Sequence, residues 1–282
     1  MKRAPATNFF SNTSRHSELV SMQTILFDLD GVLYQGDALL PGAAEAVAWA
    51  RAEGIPHLFL TNTSSRPRAA IAEKLARLGI EVAPEQILAP PAAACAWLQA
   101  EGIEHIALFA PAATAADFAG LSLLPEDAER GAGAVVVGDL AEGWDFRTLN
   151  RAFRLLVAKP VPRLLALGMT RYWHAAGGLQ LDAGPFVMAL QYASGIEPVV
   201  LGKPAPAFFD AAVAAVHSTP AHTLMIGDDI RSDVGGAQRA GLKAALVRTG
   251  KFRPSDLHGD IRPDAVLDTV GDLAAWWERH AA

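Results

Sequence analysis

The chain of 282 residues contains one cysteine, no long apolar run and no run of lysine or arginine. A lone thiol, Cys95, excludes an intramolecular disulfide, and its alanine-rich surroundings read as a small core position. That usage suits a reducing cytoplasm. No stretch approaches the roughly 18 consecutive apolar residues that a membrane-spanning helix requires, so a soluble protein without membrane partners is expected. The 30 acidic residues outnumber 24 basic ones for a formal charge of −6. With no basic stripe to track a phosphate backbone, nucleic acid is excluded as a partner. Residues 1–21 lack the apolar core of a secretory signal. They are basic at the start and rich in Ser, Thr and Asn, and are expected to form a disordered extension.

What is present is the composition of a globular protein, 51% hydrophobic and 19% charged, without repeats or low-complexity tracts. The length accommodates one large domain or two of ordinary size. The organising stretch is Thr24–Tyr34, TILFDLDGVLY. Ile25, Leu26 and Phe27 are β-formers, and they lead into two aspartates separated by one leucine, after which Gly31 breaks the pattern. Side chains alternate along a strand, so Asp28 and Asp30 project to one side. Carboxylates that close repel unless a cation lies between them, and a hard ion such as Mg²⁺ takes oxygen ligands. A strand ending in an ordinary β-turn fits the same residues.

Further along, apolar runs alternate with helical patterns. Pro41-Gly42 opens an alanine-rich helix stopped by Gly54. His57–Leu60 is a strand ending in Thr61-Asn62-Thr63-Ser64, and Ile71, Leu75 and Leu78 mark a second helix stopped by Gly79. Such alternation predicts a parallel sheet covered by helices on both faces, with the site at its strand ends. Residues 85–197 continue the alternation with different punctuation and read as an inserted α/β module, in which Asp145 caps a helix carrying Leu149, Phe153 and Leu156. The core, 22–84 and 198–282, is expected to resume with a buried strand at Pro198–Leu201, directly before Gly202-Lys203-Pro204. Another strand, Thr223–Ile226, ends in Gly227-Asp228-Asp229.

Strand ends thus carry carboxylates at Asp28, Asp30 and Asp228, a hydroxyl at Thr61 and an ammonium at Lys203. Converging in one crevice, they suit phosphoryl transfer: Asp28 as nucleophile, Asp30 as acid and then base, and Lys203 with Mg²⁺ against the developing charge. Thr61 and the backbone N–H of Asn62 are candidates for holding a phosphoryl oxygen. Singly, each residue has a plainer explanation. Thr61 satisfies a backbone group, Lys203 is a solvated loop lysine, and Asp233 is a helix N-cap. Asp229 points away from Asp228, and Asp139 is structural.

The order DLDG, TNTS, GKP and GDDIRSD resembles the haloacid dehalogenase superfamily of phosphatases, over the chain from about Thr24 onward. The resemblance implies a Rossmann-like core and magnesium dependence, with Asp28 as nucleophile and metal ligand and Asp30 as acid/base with its carbonyl on the metal. It further implies that Thr61, Asn62 and Lys203 bind phosphate and that Asp228 completes the metal ligands. An insertion between TNTS and GKP is similar to the subfamily with a large α/β cap. LDAGPFVMALQYASG and RTGKFRPSD resemble its branch that cleaves P–N and P–O–P bonds; pyridoxal phosphate, phosphoglycolate and nucleoside monophosphates are the alternative substrates. The resemblance also implies a homodimer through the cap. Arg171, Tyr172, Trp173 and His174 are candidates for reaching a leaving group, and Asp182 for binding a cationic one; a hinge or packed cap surface explains them equally. A non-catalytic protein-binding module on the same fold is the competing reading.

Overall fold

The computed structural model describes residues 22–175 and 178–280, and of 173–175 the backbone alone. The expected extension, 1–21, lies outside the described residues. The chain opens with β1 (Thr24–Asp28), buried throughout, and a two-strand ribbon, β2 (Tyr34–Gln35) and β3 (Ala38–Leu39). Then come α1 (Ala43–Ala52), β4 (His57–Leu60), α2 (Arg68–Arg77), β5 (Ile87–Leu88) and α3 (Pro90–Ala100). A second block holds β6 (His105–Phe109), β7 (Ser122–Leu123), β8 (Ala134–Val137), α4 (Phe146–Val157) and β9 (Arg163–Ala166). It ends with the hairpin β10 (Tyr172–Ala175) and β11 (Gly178–Leu181), α5 (Ala183–Ser194) and β12 (Pro198–Val200). The last block is α6 (Pro206–Ala215), β13 (Thr223–Gly227), α7 (Gly235–Arg239), β14 (Lys243–Val247), β15 (Ala265–Leu267) and α8 (Leu273–His280).

Six strands form the first sheet in the order β15-β14-β13-β1-β4-β5, every pair parallel. The chain winds outward from β1 through β4 to β5, returns at β13 and winds outward the other way. The strand order therefore reverses at β1, and a crevice opens beyond its C-terminal end. Period-two alternation divides the two faces. Ile25 and Phe27 pack with α1, α2 and α8, whereas Leu26 packs with Phe208 and Phe209 of α6. Burying each such side chain contributes about 1.5–3 kcal/mol relative to exposure.

The inserted block forms a second parallel sheet, β12-β9-β8-β6-β7. Asp145 caps α4 as its residue type predicts, accepting the Thr148 N–H at 2.7 Å. Two strands differ from expectation. Pro198–Val200 does not resume the first sheet but pairs with β9 as an edge of the second. It is only half-buried, and an edge position is where a strand tolerates proline. Ile87–Leu88, which falls within the expected insertion 85–197, instead pairs with β4 at the edge of the first sheet. By sheet membership, the crossings between the two units lie after Leu88 and after Val200 rather than at 84/85 and 197/198. No described helix is long and apolar enough to cross a membrane.

Candidate active site

Asp28 is the last residue of β1, and Asp228 follows β13, the adjacent strand. Parallel pairing carries both carboxylates to the same sheet end. One oxygen each of Asp28, Asp228 and Asp233 lie within 4.8 Å of one another, and all three residues are buried. Lys203 enters from the loop after β12, its Nζ donating to Asp28 Oδ1 at 2.5 Å and to Asp233 Oδ1 at 2.7 Å. With only 7% of Lys203 exposed, this is a desolvated ion-pair network, not a solvated loop lysine.

Asp233 was expected to be a helix N-cap, and the structure corrects this. The cap is Asp229, whose Oδ1 accepts the N–H groups of Arg231 and Ser232 at 2.9 and 3.0 Å. A single π-turn, Ile230–Val234, widens the chain there, and Asp233 turns inward to Lys203 with its second oxygen accepting the Asp229 N–H at 3.0 Å. Such widened turns occur often at functional sites. Asp229 itself faces Lys251, whose Nζ lies 3.6 Å from its Oδ2.

Three carboxylates against one ammonium give this buried group a formal charge of −2. Burial pushes Asp28 up to about 7; Lys203 pulls it down, and repulsion from Asp233 and Asp228 adds to the rise. Asp228 is raised to about 6, again chiefly by burial and against the pull of the Lys251 N–H, which its Oδ2 accepts at 2.7 Å. Burial opposes the charge on Lys203, but Asp233 and Asp28 outweigh it and hold the lysine above its ordinary value. Asp228 Oδ1 is buried with no hydrogen-bond partner among the described residues. An orphaned carboxylate oxygen within an excess of negative charge is the setting of a bound cation, and an all-oxygen donor set suits Mg²⁺.

Two glycines make room for Asp228. A Cβ added at Gly31 or at Gly250 would lie 2.0 Å from its Oδ2, and both residues have positive φ, +86° and +60°. The Thr249 hydroxyl ties these loops together by donating to the Gly31 carbonyl. Asn62 clamps the lysine loop: its side-chain amide donates to the Lys203 carbonyl at 2.9 Å and accepts the Lys203 N–H at 2.8 Å. Thr61 is buried, and its hydroxyl accepts the Thr63 N–H at 3.1 Å and donates to the Thr63 hydroxyl. Asp30 stands outside the acidic cluster. Its side chain is exposed and lines a cleft of about 470 Å³ between the two units, together with Asn62, Arg66, Lys74, Asp139 and Asp182.

The site therefore brings Asp28, Lys203 and Asp228 together, adds Asp233 and Lys251, and sets Asp30 at the cleft. Of the cap candidates, Asp182 lines that cleft, Arg171 is exposed just before the hairpin and Tyr172 is exposed at its first position, while the side chains of Trp173 and His174 lie outside those described. Asp139, expected to be structural, lines the cleft as well.

The model of the haloacid dehalogenase-like hydrolases matches residues 25–121, and a second, HAD-hydrolase-like model matches residues 200–273. Phospholysine phosphohistidine inorganic pyrophosphate phosphatase from Homo sapiens is 36% identical over 268 residues, covering 93% of this chain and 97% of that protein. The chain belongs to the haloacid dehalogenase-like hydrolases. The Bos taurus phosphatase of the same name is 38% identical over 280 residues, with the same coverage. A solved haloacid dehalogenase-type fold, the 4-nitrophenylphosphatase from Thermotoga maritima, superposes with a TM-score of 0.80 at 26% identity, covering 91% of this chain and 98% of that one. Within the hydrolase family the chain is a phosphatase, similar to named phosphatases over nearly its whole length.

Proposed function

We propose that this phosphatase is Mg²⁺-dependent and hydrolyses a small phosphorylated metabolite, a phosphoramidate or pyrophosphate through a phosphoaspartate at Asp28. The observation that carries the proposal is the buried ammonium of Lys203 bridging Asp28 and Asp233, beside the unpartnered oxygen of Asp228. Lys203 engages Oδ1 of Asp28, and Oδ2 is the oxygen that attacks phosphorus as the bond to the leaving group breaks. Lys203, itself buried, then offsets negative charge on the phosphoryl oxygens. Asp30, facing the cleft, gives its proton to the leaving atom and afterwards takes one from the water that cleaves the acyl phosphate. Thr61 and the Asn62 N–H hold a phosphoryl oxygen, and the Asn62 side chain keeps Lys203 in register. Asp28 and Asp228, with Asp233 adjoining, would hold the Mg²⁺, which supplies charge neutralisation between nucleophile and phosphoryl group.

Phosphate release from a panel containing phosphohistidine, phospholysine, pyrophosphate, pyridoxal phosphate and nucleoside monophosphates, with Mg²⁺ and with EDTA, tests this. Turnover that persists in EDTA, or a panel that yields none, would refute it. A beryllium fluoride adduct on Asp28 is the expected trapped state.

The raised pKa values give a pH signature with a definite sign. The folded, metal-free protein holds protons on Asp28 up to about 7 and on Asp228 up to about 6, above their ordinary value of 3.8. These groups therefore contribute stability that is full below pH 4 and is lost as the pH rises through 6 and 7. Mg²⁺ must displace those protons, so the rise in Tm it produces should be small at pH 5 and largest above pH 7. Equal shifts at pH 5.5 and 8 would contradict this.

Gly31→Ala is expected to leave a folded protein whose Mg²⁺ half-saturation rises by about tenfold or more. The new Cβ displaces the Asp228 carboxylate and also adds roughly 1–2 kcal/mol of left-handed backbone strain. Mg²⁺ titration of activity and of Tm measures both parts.

A further inference from the structure

The cleft has two walls of different charge. Its core wall carries Arg66 and Lys74 together with Asp30, whereas among the described residues the charged groups lining it from the cap are two aspartates, Asp139 and Asp182. Asp139 follows β8, and Gly168 and Thr170, on the same wall, follow β9. The C-terminal strand ends of the cap sheet thus open onto the same space as those of the core sheet, and strand ends of that kind are where α/β sheets bind ligands. Asp182 is brought there by close packing. A Cβ at Gly184 would lie 2.6 Å from the Thr170 carbonyl, so α5 begins directly against the loop after β9.

Among the described residues neither carboxylate is compensated by a cation. Asp139 accepts one N–H, from Ala141 at 3.0 Å, and Asp182 accepts one, from Ala183 at 2.6 Å. Among the described residues neither has an ion-pair partner. Burial raises Asp182, against the pull of the Ala183 N–H, and repulsion from Asp139 adds to the rise. Both carboxylates sit on one half-buried wall, and among the described residues no cation pairs with either.

We infer that Asp139 and Asp182 select substrates whose leaving group carries a positive charge, such as an ammonium or guanidinium; the inference rests on the phosphatase reading above. A phosphoryl group is drawn to Lys203 and kept from the cap by like charge, while a cation on the departing portion meets the two carboxylates. Charge on the two walls then fixes both the identity and the direction of the bound molecule.

Two esters of nearly equal shape test this: 2-aminoethyl phosphate and propyl phosphate differ in an ammonium against a methyl group. With the wild-type protein kcat/KM should favour the aminoethyl ester by about tenfold or more, the size expected of a partly buried charge contact. In the double variant Asp139→Asn, Asp182→Asn the ratio should fall to within about twofold of unity, chiefly through KM for the aminoethyl ester. Asparagine also caps helices, so α5 keeps its N-cap. A wild-type ratio near one, or a ratio that survives the double substitution, overturns the inference. The rise in Tm with each ester reads the same preference without turnover. Hydrolysis of both esters without preference defeats the charge selection and spares the phosphatase reading; an ammonium preference in Tm with no hydrolysis of either does the reverse.

Discussion

Replacing Asp28 by asparagine should reduce phosphate release by about 10⁴-fold or more, as removal of a covalent nucleophile does elsewhere, while the protein stays folded. An amide cannot form the acyl phosphate, and the other two carboxylates of the buried cluster are held in place: Asp228 by the Lys251 N–H and Asp233 by Lys203 and the Asp229 N–H. The fold tolerates the change because it removes one negative charge from a buried group with an excess of two, and Lys203 keeps its 2.7 Å contact with Asp233. Phosphate release together with the thermal transition checks both halves. Substantial residual turnover would remove Asp28 from the nucleophile's role.

Lys203→Met is expected to damage stability and activity together. Methionine fills a similar volume but leaves Asp28 and Asp233, both at least nine-tenths buried, without their cation. Breaking a buried pair in this way costs roughly 3–5 kcal/mol. The loss should depend on pH. Without the lysine, Asp28 can stay buried only by holding its proton, so its folded-state pKa, already raised by burial, rises further above the unfolded one. The penalty is then small near pH 5 and grows toward pH 8. Denaturant unfolding of both proteins at the two pH values measures it, and an equal penalty at both would place the lysine's contribution in packing instead of charge. Turnover should fall by about 10³-fold, since an electrostatic stabiliser of the transition state is lost; Lys203→Arg, which restores charge but not shape, should recover stability better than rate.

The same buried network shows how far local pattern reaches. β1 was legible because Ile25, Leu26 and Phe27 followed by two aspartates admit little else than a buried strand with acid at its end, and five of its five residues are buried. The Asp145 cap was legible because a cap is a contact across three residues. Asp233 was not, since a carboxylate before a glycine- and alanine-rich helix is indistinguishable in sequence from an N-cap, and only the widened turn at Ile230–Val234 sends it inward. Lys251 gave no signal beyond its place in RTGKFRPSD: it is the backbone N–H, common to nearly every residue, that holds Asp228. β12 was misassigned for a related reason. A three-residue apolar run fits the edge of either sheet, and the choice depends on which partner strand lies beside it.

By itself the sequence determined the alternation of strands and helices, the inserted second unit and the residue types at each strand end, because those follow from periodicity and from chemistry over a few neighbouring positions. Only the tertiary structure decided that Lys203 meets Asp28 across 175 positions of chain, that Asp233 joins them, and that Asp139 and Asp182 face the cleft from the cap. Those meetings depend on sheet order, strand register and the angle at which one unit covers the other, and such quantities are set by packing across the whole molecule.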